Sequence, residues 1–178
     1  MTRSFPAVQS TERVILREFT LDDADDLFAL DSDPRVMRYI GDGQTATRAD
    51  VDMLLPKAIA RYVRHPGMGS FHATLRETGR FIGWCSVKHA GESPDVEVGY
   101  RLCFDAWGRG LATEMARAML ARGFDVIGLD RIIGVTHPDN LASQHVLRKC
   151  GLEDLGWGHY YERDLRLFAI RCSQWESR

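Results

Sequence analysis

Apolar and polar positions alternate along residues 12–19 (ERVILREF), which predicts a first strand. The period then changes. Thr20 with Asp23 three residues on opens a short helix to about Leu30, and Asp33 before Pro34 marks a second helix start. Thr47 with Asp50 begins a longer helix, in which Val51, Leu54, Leu55, Ala58 and Ile59 recur at helical spacing and predict one apolar face. Alternation returns at Phe71, Ala73 and Leu75, breaks at the turn residues ETGR, and resumes at Phe81, Gly83, Cys85 and Val87, a hairpin pattern. After the turn-rich AGESPD, VEVGYRL (96–102) reads as another strand.

Beyond that strand the order becomes helix, strand, helix. Residues 110–125 place Leu111, Met115, Ala118, Met119 and Arg122 at helical spacing. RIIGVT (131–136) is a short apolar strand, and LASQHVLRKCG (141–151) is a helix ending at Gly151. Two final strands, near 152–157 and 164–171, flank the aromatic stretch WGHYYERD. This pattern predicts an α+β fold of three layers, with a mixed, mostly antiparallel sheet of about seven strands and about four helices. Residues 11–178 read as one domain behind a short extension, residues 1–10.

Composition narrows the class of function more than the fold. The 178 residues, 44% hydrophobic and 27% charged, suffice for one domain with a substantial core. A formal net charge of −2 gives no basic surface for nucleic acid or a membrane. The N-terminal MTRSFPAVQSTERV lacks the apolar run of a signal peptide, and no segment approaches membrane-spanning length. Cys85, Cys103, Cys150 and Cys172 stand apart, with no C-x-x-C pair, as expected for reduced thiols in the cytoplasm and not for a zinc site. His137 and His145 lack the spacing of a metal pair, so no metal is expected.

The stretch FDAWGRGLATEMARAML (104–120) raises a chemical question. Gly108, Gly110 and Ala112 crowd small residues into a helix entrance, where the first N–H groups have no internal partners and carry about half a positive charge. A phosphate fits such a place, and so does close helix–strand packing. The P-loop pattern is excluded because no Lys follows. The dinucleotide fingerprint fails because Thr113 stands where Gly or Ala is required and no acidic residue ends the next strand.

EVGYRL, WGRGLATE, IIGVTHPDN and the run N-x-x-S-x-x-V-L-x-K-x-G-L together resemble the GNAT superfamily of N-acetyltransferases, with the ribosomal-protein N-terminal acetyltransferases as the most similar branch. The resemblance spans the chain from about Thr11, including DPRVMRYI, and is most specific between Glu97 and Leu152. It implies acetyl-coenzyme A as cosubstrate. Backbone amides of Gly108, Arg109, Gly110, Leu111, Ala112 and Thr113 would hold its pyrophosphate, in the family pattern [Q/R]-x-x-G-x-[G/A]. Trp107 occupies the Gln/Arg position, a departure. The pantetheine arm would lie where the strands at 96–102 and 131–136 splay apart, from Leu102 inward, with the acetyl carbonyl near Val98 to Tyr100. Asn140 and Ser143 match the family N-x-x-S, and Asn140 also reads as an ordinary helix cap.

The resemblance implies transfer of acetyl to a primary amine, directly and in a ternary complex. Only a neutral amine attacks, and a lysine-like amine (pKa about 10.4) is mostly protonated at neutral pH, an α-amine near 8 much less so. Glu97 is the candidate base, or holder of a water; a strand carboxylate paired with an arginine is the other reading. Ser143 or Tyr100 is the candidate donor to the leaving sulfur, since Val146 stands where many relatives place Tyr. Arg38, Tyr39 and Tyr160 are candidate acceptor contacts; a loop packed on its own sheet or a homodimer contact fits the aromatic run equally. A protein N-terminus and a small-molecule amine both remain open as acceptor, and a coenzyme A-binding module without turnover remains the alternative.

Overall fold

In the computed structural model, which describes residues 8–175, eight strands make one sheet. In chain order they are β1 (Val8–Ser10), β2 (Val14–Glu18), β3 (Gly69–Leu75), β4 (Phe81–His89), β5 (Val96–Leu102), β6 (Arg131–Thr136), β7 (Glu153–Tyr160) and β8 (Arg163–Arg171). Their spatial order is β1-β2-β3-β4-β5-β6-β8-β7, and every neighbouring pair but one is antiparallel. The exception is β5 against β6, which run parallel and meet at a single residue pair, Glu97 with Ile133. Toward the C-terminal ends of the two strands no further ladder pair joins them.

Five helices cover the two faces: α1 (Ala24–Asp31), α2 (Pro34–Met37), α3 (Arg48–Arg64), α4 (Leu111–Ala121) and α5 (Leu141–Lys149). The larger core joins Leu111, Met115 and Met119 of α4 and Leu147 of α5 to Leu16, Phe71, Ile82, Val98, Ile132 and Phe168 of the sheet. A smaller core on the other face joins Phe19, Ala24, Val51 and Leu55, with Trp84 against them. No helix among the described residues is long and apolar enough to cross a membrane.

The three-layer α+β prediction holds, with one more strand and one more helix than expected. The extra strand, β1, lies in the stretch assigned to the N-terminal extension, where three residues are too few to show a period. Leu54 leaves the predicted apolar face of α3 and is 51% exposed, at the margin of a helix covering the sheet with one side only. The predicted helix to residue 125 ends as α-helix at Ala121 and continues as a wider π turn through Ile127. Gly123 explains the tight docking of that turn, because a Cβ there would lie 2.4 Å from Ile132 Cδ1. The WGHYYERD segment is not a loop. β7 runs on to Tyr160, and a two-residue turn at Tyr161 and Glu162 (φ 55° and 59°) returns the chain into β8.

Candidate active site

The strand β5 delivers its side chains alternately to the two faces of the sheet, so Glu97 and Tyr100, three residues apart, point to opposite sides. Beyond its C-terminal end the chain makes a short turn at residues 104–106 and enters α4 through Gly110, which has φ 76° and so favours glycine. None of the backbone N–H groups of residues 108–113 donates a hydrogen bond within the described residues; the first to do so is Glu114, to the Gly110 carbonyl at 3.1 Å. Residues 107–110 are exposed, Leu111 is buried in the core, and Ala112 and Thr113 are half-buried. The result is a run of amides at the positive end of a helix, with the Arg13 guanidinium beside Gly110.

This loop is fixed from outside by residues that no local sequence pattern marks. Arg13 Nη1 donates to the Arg109 carbonyl (2.9 Å) and Arg13 Nε to Glu114 Oε2 (2.7 Å), while Thr11 Oγ1 donates to Glu114 Oε1 (2.5 Å). Burial raises the Glu114 carboxyl, but the bonds from Thr11 and Arg13 outweigh it and hold the group below its usual range. Trp107 Nε1 donates to the Leu102 carbonyl at 2.9 Å, so this departure from the family pattern works as an anchor for the loop. Leu102 itself is buried in the core, with its carbonyl engaged by that tryptophan. Burial first, and the nearby Asp105 carboxylate second, push the Cys103 thiol up, away from thiolate character.

On the α5 side, the Asn140 side chain accepts from the Ser143 amide at 3.1 Å, so the helix-cap reading holds. The Tyr100 hydroxyl donates to the Ser143 carbonyl and lies 3.1 Å from Ser143 Oγ. The two candidate proton donors therefore touch, linking β5 to the helix that follows β6. Burial pushes the Tyr100 phenol up and keeps it protonated; its bond to Ser143 opposes this only in part.

The opposite face is organised around Glu97, which is 6% exposed. Its Oε1 accepts from Lys88 Nζ at 2.6 Å and from the Tyr161 hydroxyl, and Lys88 Nζ is 3.2 Å from the same hydroxyl. Lys88 is the register partner of Glu97 on β4, so the strand carboxylate is paired with a lysine and not with the arginine considered from sequence. Burial, then the Glu97 charge, pushes the Tyr161 phenol up. The expected acceptor residues are not brought together. Arg38 and Tyr39 meet His137 after β6, where the Tyr39 and His137 rings stack at 5.3 Å and the Arg38 guanidinium lies over Tyr39 at 5.1 Å. Tyr160 instead donates to Asp95 Oδ2 at 2.6 Å, and Asp95 also receives Arg131 at 3.0 Å. Its neighbour Tyr161 reaches Glu97, a contact that no local pattern could announce because the β7–β8 hairpin must first fold over the sheet.

Asp23, Asp26 and His72 bring oxygen and nitrogen atoms within 4.8 Å of one another. These atoms are spent internally: Arg17 makes paired bonds to Asp23 (2.7 and 2.6 Å), and His72 Nε2 lies 2.9 Å from Asp26.

Residues 13–153 match the model of the acetyltransferase (GNAT) domain, and the chain belongs to that family of acyl-CoA-dependent N-acetyltransferases. It is 31% identical over 153 residues to a protein of Bacillus subtilis (strain 168) named N-acetyltransferase YoaA, an alignment covering 85% of each chain. The crystal structure of an acetyltransferase from Agrobacterium tumefaciens str. C58 superposes with a TM-score of 0.80 at 24% identity, covering 96% of this chain and 97% of that one. The aminoglycoside acetyltransferase AAC(6')-Ib, solved in complex with coenzyme A, has the same fold, with a TM-score of 0.74 at 22% identity over 89% and 94% of the two chains.

Proposed function

We propose that this acetyltransferase takes acetyl from acetyl-coenzyme A and passes it to a primary amine in a ternary complex, with the thioester on one side of β5 and the amine on the other. The observation that carries the reading is the run of unpaired amides at 108–113 opening onto the divergence of β5 from β6. These residues fit a pyrophosphate: their amides have no internal partner, Gly108, Gly110 and Ala112 leave room for a close approach, and Gly110 already sits in the left-handed conformation. Gly108, Arg109, Gly110, Leu111, Ala112 and Thr113 hold the phosphates through their backbone, and Asn140 and Ser143 border the other arm of the gap.

Acetyl-coenzyme A, when bound, supplies the thioester whose C–S bond is exchanged for a C–N bond. Glu97 receives the proton that the amine nitrogen releases, through Oε2, since Oε1 is engaged by Lys88 and Tyr161. Tyr100 and Ser143, sharing a contact on the opposite face, return a proton to the departing sulfur. The amine adds to the thioester carbonyl carbon and the tetrahedral adduct then expels the thiol, so one proton is taken from nitrogen as the C–N bond forms and one is given to sulfur as the C–S bond breaks.

Thermal unfolding with acetyl-coenzyme A, coenzyme A, NAD and ATP tests the cosubstrate. At about a hundred times its dissociation constant a ligand adds roughly 2.7 kcal/mol, and the shift is expected with the two coenzyme A species alone. No shift with either overturns the proposal. A shift without thiol release toward any amine would replace it with a coenzyme A-binding module.

A further inference from the structure

We propose that the acceptor amine carries an anionic group, a carboxylate or a phosphate, and that this group is held in a cationic cavity beside Glu97. The proposal rests on the acetyl-transfer reading and names its substrate class. The cavity, of about 460 Å³, lies between the end of α3, the start of β3 and the turn joining β4 to β5. Arg61, Arg64, His65, Lys88 and His89 line it, against one carboxylate, Glu92.

Two arguments separate this cavity from an ordinary charged surface. Basic residues are common in the last turn of a helix, where they meet its negative end, and that accounts for Arg61 and Arg64 taken alone. It does not account for their convergence with Lys88 and His89 from β4. Neither arginine side chain makes an ion pair or hydrogen bond within the described residues; the same is true of Arg38, Arg109 and Arg163, but those three do not line this cavity. His89 Nδ1 is moreover buried without a partner, its ring set edge-on against His65 at 5.0 Å. A chain with net charge −2 thus places two unpaired guanidinium groups at one concavity, beside a lysine already paired with Glu97 and one carboxylate, Glu92.

Lys88 joins this cavity to the reaction. It lines the cavity and its Nζ bonds Glu97 at 2.6 Å, so the cavity wall includes the residue that pairs with the carboxylate receiving the amine's proton. Such a wall attracts an amino acid or an aminoalkyl phosphate and repels a polyamine or an aminoglycoside, whose extra charges are all positive.

Two measurements test the proposal. In the first, thiol release is followed with glutamate, aspartate, aminoethyl phosphate, an acidic N-terminal peptide, spermidine and an aminoglycoside. Anionic acceptors are expected to exceed cationic ones by at least about tenfold in kcat/KM. The double variant Arg61→Gln/Arg64→Gln is expected to raise KM for the anionic acceptor about tenfold, while coenzyme A still shifts its melting temperature, which shows that it folds. Better turnover of spermidine or the aminoglycoside overturns the proposal and leaves acetyl transfer standing; a preference unchanged in the double variant does the same. Turnover of the peptide alone reassigns the anion to a protein terminus. In the second, inorganic phosphate and glutamate are titrated into the coenzyme A-bound protein while the His65 and His89 imidazole resonances are observed. Saturable shifts at both support the cavity even without turnover, and no shift at tens of millimolar overturns it.

Discussion

The two faces of β5 are built from different materials. The side facing α4 and α5 is mainly backbone, amides at 108–113 with a glycine in the left-handed region, and its few side chains, Asn140, Tyr100 and Ser143, come from β5 and the entry to α5. The side facing α1 to α3 uses side chains from separate elements: Lys88 from β4, Glu97 from β5, Asp95 before it, and Tyr160 and Tyr161 from the far hairpin. Backbone donors are indifferent to most substitutions and suit a ligand that does not change. Side chains can be exchanged one at a time, and they suit a partner that differs between relatives.

Under this division, each side can be damaged without the other. The largest effect is expected from Glu97→Gln, which keeps the shape and removes the proton acceptor. Its kcat/KM should fall by about a hundredfold or more, with the coenzyme A dissociation constant unchanged. Weakened coenzyme A binding in this variant would break the comparison. Gly110→Val should do the reverse. Its side chain is strained at φ 76° by roughly 1–2 kcal/mol and stands beside the amides, so the dissociation constant for coenzyme A should rise by about tenfold or more while kcat at saturation stays near its original value.

A third test uses pH. Burial first, then the bond to Asp95, raises the Tyr160 phenol from 10.0 to about 12. Because the folded value exceeds the unfolded one, this contribution to stability is complete below pH 10 and is lost as pH rises through about 12. Stability curves in alkali should therefore be steeper for the natural protein than for Tyr160→Phe, which also loses about 1–2 kcal/mol at neutral pH. The smallest effect belongs to the hairpin tip. Glu162→Gly relieves a left-handed residue at φ 59° and should stabilise the protein by about 0.5 kcal/mol in denaturant unfolding, without changing coenzyme A binding.

The same division decides what is legible in the sequence. Gly108, Gly110, Asn140 and Ser143 lie in short contiguous runs whose chemistry is local, so WGRGLATE and N-x-x-S mark the helix entrance and the helix cap, while an anion site and close helix–strand packing fit the glycines equally. Strands and helices are legible for the same reason, since Phe71, Ala73 and Leu75 declare a period of two within one segment. Lys88, Tyr161 and Arg13 are not legible. Lys88 reads as a solvated strand residue, Tyr161 as one of several aromatics in WGHYYERD, and each becomes meaningful only through a partner 9 to 101 positions away. Tyr160 shows the limit well: the aromatic run marks the right hairpin, but its turn gives the contact with Glu97 to the next residue.

The single pair joining β5 to β6 has one more consequence. A strand with free N–H and C=O groups on its rim invites foreign chains to pair with it, and most proteins guard such rims with charge, proline or a covering helix. Here two rims are created where β5 and β6 part, but they face each other inside the molecule, with the Tyr100–Ser143 contact on one side and the Tyr39–His137 stack at the end of β6. The protein can therefore keep backbone open for a narrow ligand without offering it to a neighbouring polypeptide.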